Sequence, residues 1–474
     1  MKSLPLSPPF PFQPAPPASA RHRRRCRVPL RLLLLLLLLL PALFFPAGRA
    51  DAGEADGRLL LYVNVDDPDL AVADFSLSAA DIAIRGDGDW IRLAARMNLA
   101  GNNGNGQHLA ASATLAEANY RELRLRNLHV QGGGLRYDVE ELVLPIANRL
   151  AVAGGRTTAL FLTIPADAVR QTSSGPLPMT AGSGRNIFHS DLCFAAVPEE
   201  KTIFVIRTDK ARVIATLDGG EQPGHLIIDG DRDRLHALDT ASRSISTLEL
   251  TSGNLLNALH IPMLQRPSFM IATRDNQALL LDGDQDQAGI IDLGRGELTA
   301  LHRFRATPLR AAYLAGHNII AVIVPASQEI VLLDGSSLTG QGEAVSGMDA
   351  TGVVAFEEDF LVSAQNTLVR LNPAGGQKEK RLLSSTPANL VADSRFLYAA
   401  LPEEEAIGII FPRQLTMAKR IPLGSPPGEM AISKSRNLLF AAIDDGIAVI
   451  DLTSQKVTAT IRLGARPADL ASNR

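Results

Sequence analysis

Six histidines, His189, His225, His236, His260, His302 and His317, fall in or just before the first half of residues 190–474. Histidine binds metals and moves protons near neutral pH, so a cluster of them would be a candidate metal or acid–base centre. These six hold different positions in the local sequence pattern, so they are expected to point in different directions as separate surface or core residues. Asp282-Gly283-Asp284-Gln285-Asp286 offers alternating oxygens, as a calcium loop does. A full EF-type loop needs Gly at its sixth position and an acid at its twelfth, where Gln287 and Leu293 stand. Asp229-Gly230-Asp231-Arg232-Asp233 lacks the glycine as well. Both read as tight turns, which Asp and Gly favour. Cys193 sits in the apolar run Leu192-Cys193-Phe194-Ala195-Ala196-Val197, the setting of a buried, inert thiol. With Cys26 the only other cysteine, no disulfide framework and no Cys-x-x-Cys-His haem attachment can form. No Gly-x-Ser-x-Gly elbow and no Gly-rich phosphate loop occurs. The expectation is no catalytic residue, no metal and no cofactor.

The elements that carry these residues repeat. Thr386-Pro387-Ala388-Asn389-Leu390 is followed 40 residues later by Pro426-Pro427-Gly428-Glu429-Met430, and 40 later again by Arg466-Pro467-Ala468-Asp469-Leu470. Backwards, Met348, Pro308, Pro267 and Pro223 continue the series at steps of 39, 40, 41 and 44. Val449-Ile450-Asp451-Leu452, Thr247-Leu248-Glu249-Leu250, Gly289-Ile290-Ile291-Asp292-Leu293 and Val331-Leu332-Leu333-Asp334 fill a second column. Each unit holds four short apolar runs between Gly, Asp, Asn or Ser turns, and no 3.6-spaced stripe. That pattern is a four-stranded propeller blade. Six complete units open at Pro223, Pro267, Pro308, Met348, Pro387 and Pro427. Three strands before Pro223 (192–197, 202–206, 212–217) and one after Arg466 (467–471) make a seventh. The predicted fold is therefore all-β, a seven-bladed β-propeller over 190–474 closed by the C-terminal strand 467–471, which leaves no free sheet edge in the ring.

On those residues, above all Leu438 to Ala442, Val449 to Leu452, Val457 to Ile461, Gly464 and Pro467, the repeat resembles the YVTN-type β-propeller repeat. The resemblance covers roughly residues 190–472. It implies a secreted or surface protein with lactonase-like and quinoprotein-like propellers among its relatives, and is nearly silent on function. Tryptophan docking repeats would mark a pyrroloquinoline quinone propeller, and the chain's single tryptophan, Trp90, lies outside the repeats.

Residues 57–170 show alternation instead of the period. Leu59 to Val65, Phe75 with Leu77, Ile82 with Ile84, Leu123 with Leu125, and Leu160 with Leu162 and Ile164 predict an N-terminal β-sandwich with Gly/Asn turns. Gly57, Leu59, the Asp67-Pro68 turn, Trp90 to Leu93 and Tyr120 to Leu125 resemble a β-sandwich family of unknown function in secreted bacterial proteins, although Ala116 and Ala118 stand where that family has Pro and Gly. The likeness implies export and surface or carbohydrate-like binding. Residues 171–189 read as the linker between the two domains. Ahead of both, residues 1–50 read as a signal peptide. Arg21 to Arg31 supply a basic region, Leu32 to Phe45 an apolar stretch of 14 residues, and Ala47-Gly48-Arg49-Ala50 a small-residue exit. The apolar stretch is shorter than the roughly 20 residues a membrane span needs. A periplasmic or extracellular protein with no span after cleavage is expected.

A formal charge of −3 selects neither nucleic acid nor an anionic membrane. Locally the turns between second and third strands collect Glu403, Glu404, Glu405, Asp282, Asp284, Asp286, Asp444 and Asp445, opposed chiefly by Lys201 and Arg243. They predict an acidic rim that would attract a cationic partner. The functional expectation is an exported binding or scaffold protein whose ligand is an unknown protein or small molecule. The alternative is a propeller enzyme of lactonase or dehydrogenase-subunit type acting in the central channel. Converging carboxylates, amides or histidines in the channel would favour the enzyme, and an apolar lining would favour binding.

Overall fold

A computed structural model describes residues 56–66, 76–100, 105–132, 135–164, 179–184, 191–345 and 349–473. The expected leader, the Asp67-Pro68 turn, His189 and Met348 lie outside the described residues. The regular structure of the described chain is nearly all strand. Its only helical turns are three 3-10 turns, Pro198–Glu200, Pro325–Ser327 and Pro402–Glu404.

Seven four-stranded antiparallel sheets make the propeller. The first is assembled from both ends of the repeat region: Leu192–Val197, Thr202–Arg207 and Arg212–Asp218, with Asp469–Ser472 as the innermost strand. The register pairs Ala196 with Asp469 and Cys193 with Ser472. Six more blades follow in chain order, with innermost strands Pro223–Asp229, Pro267–Ala272, Arg310–Leu314, Ala350–Phe356, Asn389–Ala392 and Met430–Ser433.

The middle strands read as unbroken apolar runs because each lies between two neighbouring blades. Leu397–Leu401 and Ala406–Phe411 are buried on both faces except at Phe411, whereas the outer strand Thr416–Pro422 is mostly exposed. Every pair of neighbouring blades shares one apolar cluster. Leu235, Ala237 and Leu248 of the second blade meet Phe194, Ile203 and Val205 of the first, for example.

The N-terminal domain is one ten-stranded sheet around its own core. The long strands Ala118–Gly132 and Leu135–Val152 pair along its middle, and Leu59, Leu61, Ile82, Leu123, Leu125, Leu160 and Leu162 fill the interior. Here the expected linker 171–189 is corrected. Thr180–Ser183 is a strand of this sheet, antiparallel to Thr157–Ile164, with Met179 and Ala181 in the core. Ala181-Gly182-Ser183-Gly184 looks like a linker by composition, but small residues in period-2 alternation also fit a crowded sheet position.

Residues 54–474 form a single compact unit, and the sandwich meets the propeller at its closing seam. Gly57–Val65 and Thr157–Ile164 are parallel neighbours buried on both faces. One face supplies the sandwich core. From the other, Leu60, Tyr62, Ala159 and Phe161 join Phe204, Ile206 and Val213 of the first blade and Phe440, Ile447 and Ile461 of the seventh. Gln107 imitates a strand partner for the first blade's outer edge. Its amide nitrogen donates to the Val213 carbonyl at 2.8 Å, and its oxygen accepts the Val213 N–H at 2.9 Å.

Candidate functional site

The residue two places after the repeating proline, or after Met348 in the fifth blade, lies in or directly before the innermost strand of each blade, so these residues form a ring around the axis. In order they are His225, Phe269, Arg310, Ala350, Asn389, Glu429 and Asp469. Their chemistry converges. Arg310 and Glu429 reach across the channel from the fourth and seventh blades in a two-point ion pair, one contact of which is 3.2 Å. The Asn389 amide donates to the same Glu429 carboxylate. Burial alone would lower the Arg310 guanidinium, but Glu429 beside it holds it above its ordinary value. Asp469 accepts the backbone N–H of Leu226 at 2.8 Å and stands 3.4 Å from Nδ1 of His225. The His225 ring meets Phe269 edge to face at 4.8 Å.

Two cavities share His225, Phe269, Arg310 and Glu429. One, of about 470 Å³, opens toward the blade-to-blade connections and is also lined by Arg266, Ser268, Asp284 and Thr307. The other, of about 340 Å³, continues along the inner strands past Ile227, Ile271, Val353 and Val391. The ion pair thus stands where the two cavities meet, and lines both. The channel meets the condition of convergent polar groups. Its charges, however, are already engaged with one another, and His225–Asp469 is its one pairing of a histidine with a carboxylate.

The expected acidic rim is rearranged. Asp282 is fully buried, and its carboxylate accepts backbone N–H groups of Gln265, Arg266, Asp284 and Gln285. It staples the incoming connection to the blade. Asp239 does the same one blade earlier for Glu221, Gln222, Ala241 and Ser242. Gly220, at φ +84°, lies so close to the Asp239 carboxylate that a side chain there would collide with it. Glu404 accepts hydrogen bonds from Ser384, Ser385 and Arg420, which hold its carboxyl below the ordinary range. Asp444 pairs with Arg466 at 2.9 Å, Asp445 with Arg462, and Asp284 lies 3.7 Å from Arg266. Asp286 accepts the Thr307 hydroxyl at 2.8 Å, while Glu403 and Glu405 are exposed on the 3-10 turn. The sequence count of two opposing bases omitted Arg266, Arg305, Arg420, Arg462 and Arg466, which reach this face from outer strands and connections. The eight acids do not form one uncompensated surface.

Among the described residues no group of three or more metal-ligating side chains occurs. Burial pushes the Cys193 thiol well above its ordinary value. His236, fully buried in the second blade, places Nδ1 2.9 Å from the Thr247 hydroxyl, and its Nε2 has no partner. Burial pulls this imidazole down from 6.5 to about 4. The unfolded chain therefore takes up the proton first as pH falls below 6.5. Stability is full above that value and declines toward pH 4, by about 3 kcal/mol in all. Denaturant midpoints of the parent and His236→Gln should converge in their pH slopes above pH 7 and diverge between pH 6.5 and 4, the variant being less sensitive. Parallel slopes throughout that window would show that His236 does not titrate in this way.

No protein-family model matches the chain, and no curated protein does. Solved structures do match. A functionally unknown protein from Desulfotomaculum acetoxidans DSM 771 is 14% identical with a TM-score of 0.50, covering 58% of this chain and 98% of its own. The β-propeller domain of Cps50 (Swd1) from Myceliophteria thermophila is 13% identical with a TM-score of 0.43, over 50% and 84%. Dihydro-heme d1 dehydrogenase NirN is 12% identical with a TM-score of 0.46, over 59% and 65%. At these identities the likeness concerns fold alone. The strand order itself establishes the propeller.

Proposed function

We propose that the protein is an exported binding β-propeller of the YVTN repeat type, which recognises a small polar ligand in its central channel, with the N-terminal β-sandwich, of the secreted family it resembles, buttressing the closing seam. The observation that carries this reading is the Arg310–Glu429 pair, held by Asn389, between the two cavities. A charged pair in a half-buried channel offers directional recognition, and binding pockets use a few such groups against an apolar wall. The Glu429 carboxylate is held by Arg310 and Asn389, an arrangement suited to holding a ligand in place. Export is supported by the basic and apolar character of residues 21–45.

The test uses protein recovered from outside the cytoplasm, where a mature chain beginning near Asp51 or Gly53 is expected. Thermal shifts are recorded against a panel of small polar metabolites for the parent and for Ser268→Trp, which fills the mouth. At least one compound class should raise the melting temperature of the parent only, because ligand binding to the native state stabilises it by mass action. Identical shifts in both proteins, or none in either, would refute channel binding. The enzyme reading has His225–Asp469 in its favour. Lactone turnover by the parent that vanishes in His225→Asn would establish it instead.

A further inference from the structure

We infer that the channel ligand is a small zwitterion, an amino-acid-like compound carrying an ammonium and a carboxylate close together; the inference rests on the channel-binding reading above. Arg310 and Glu429 keep 21% and 17% of their side-chain surface, so both can be reached by a ligand yet neither is freely hydrated. Removing one partner from such a pair is costly, because the other charge remains in a poorly solvated place. An entering anion would draw Arg310 away and leave Glu429 with only the Asn389 amide. An entering cation would claim Glu429 and strand Arg310. A zwitterion inserted between them puts its carboxylate on the guanidinium and its ammonium on Glu429. Both protein charges then stay paired, and the net charge of the channel is unchanged.

His225 and Phe269, packed edge to face, line both cavities beside the ion pair, so a ligand that reaches the charges also meets their rings.

Isothermal titration of the purified protein with L-alanine, L-leucine and L-phenylalanine tests the proposal, with 4-methylpentanoate and 3-methylbutylamine as the leucine analogues lacking one charge each. At least one amino acid should bind. For leucine, each analogue should be weaker by about 30-fold or more, the loss expected when a partly buried charged group loses its partner. Arg310→Met combined with Glu429→Leu removes both charges without stranding either, so it should fold and lose the preference for the zwitterion. An analogue binding as tightly as leucine overturns the zwitterion assignment and leaves channel binding standing. So does failure of all three amino acids while other panel compounds still give shifts that Ser268→Trp removes. No binding of any compound overturns both readings. Unchanged leucine affinity in the double variant excludes the ion pair as the recognition element.

Discussion

Deletion of residues 466–474 is expected to convert a folded protein into one that aggregates or melts far below the parent. The lost strand is the inner edge of the first blade. It pairs with Leu192–Val197 over four registered positions and buries Leu470. Its flanks add the Ala468 N–H to the Ala196 carbonyl at 2.8 Å and the Leu192 N–H to the Asn473 side chain at 2.7 Å. The Asp469 carboxylate also accepts the Leu226 N–H of the neighbouring blade, so the strand ties the first blade to the second. Net hydrogen bonds contribute about 1 kcal/mol each and a buried leucine about 2–3 kcal/mol. The sum is comparable with the 5–15 kcal/mol that typically separates folded from unfolded domains. The deletion also leaves Leu192–Val197 as an unpaired strand edge facing the channel, a template for intermolecular pairing. Size-exclusion chromatography and a thermal melt read the outcome. A truncated chain that elutes as the parent does and melts at the same temperature would show that this strand does not hold the ring.

The propeller was legible because a blade is a local unit, and its proline, its Val-Ile-Asp-Leu column and its turns recur every 40 residues or so. The channel ring is carried by the same repeat, at a less conspicuous position. Asn389, Glu429 and Asp469 stand at one repeat position, two places after the proline, where chemistry varies while neighbouring columns stay apolar. This column is polar in five of the seven blades, two places after a residue that is proline in all but one, whereas the histidines are scattered over several columns. The charge of the acidic rim is not legible from the turns alone, because Arg420 and Arg462 reach that face from outer strands and Arg266 and Arg466 from connections. Asp282 shows a further limit. Its fully buried carboxylate binds backbone, and nothing in Asp282-Gly283-Asp284 distinguishes that from an exposed rim acid.

The sandwich–propeller seam had a sequence signal of its own. A strand with one buried face alternates, yet Leu59-Leu60-Leu61-Tyr62-Val63 is apolar at every position, which means burial on both sides. Tyr62 stacks on Phe161 with ring centroids 5.6 Å apart, and both sit in the cluster joining the first and seventh blades. Polar contacts border it. Arg58 lies 2.6 Å from the buried Glu200, and the Thr157 hydroxyl donates to the Glu200 carbonyl at 2.5 Å. Replacing both rings, Tyr62→Ser with Phe161→Ser, should remove most of the apolar coupling. Large-to-small changes at buried aromatics cost about 3–5 kcal/mol each. The sandwich keeps its separate interior of Leu59, Leu61, Leu160 and Leu162, and the blades keep theirs, so the expected result is uncoupling rather than collapse. The single tryptophan makes this measurable, because Trp90 lies in the sandwich between the guanidinium groups of Arg85 and Arg124, each 4.5 Å from its ring centre. Trp90 fluorescence reports the sandwich, whereas far-UV circular dichroism is dominated by the seven blades. In the parent the two transitions should coincide. In the double variant the fluorescence transition should move to lower temperature and separate from the dichroism transition. Coincident transitions in the variant at the parent's temperature would show that the rings fill space at the seam without coupling the two domains.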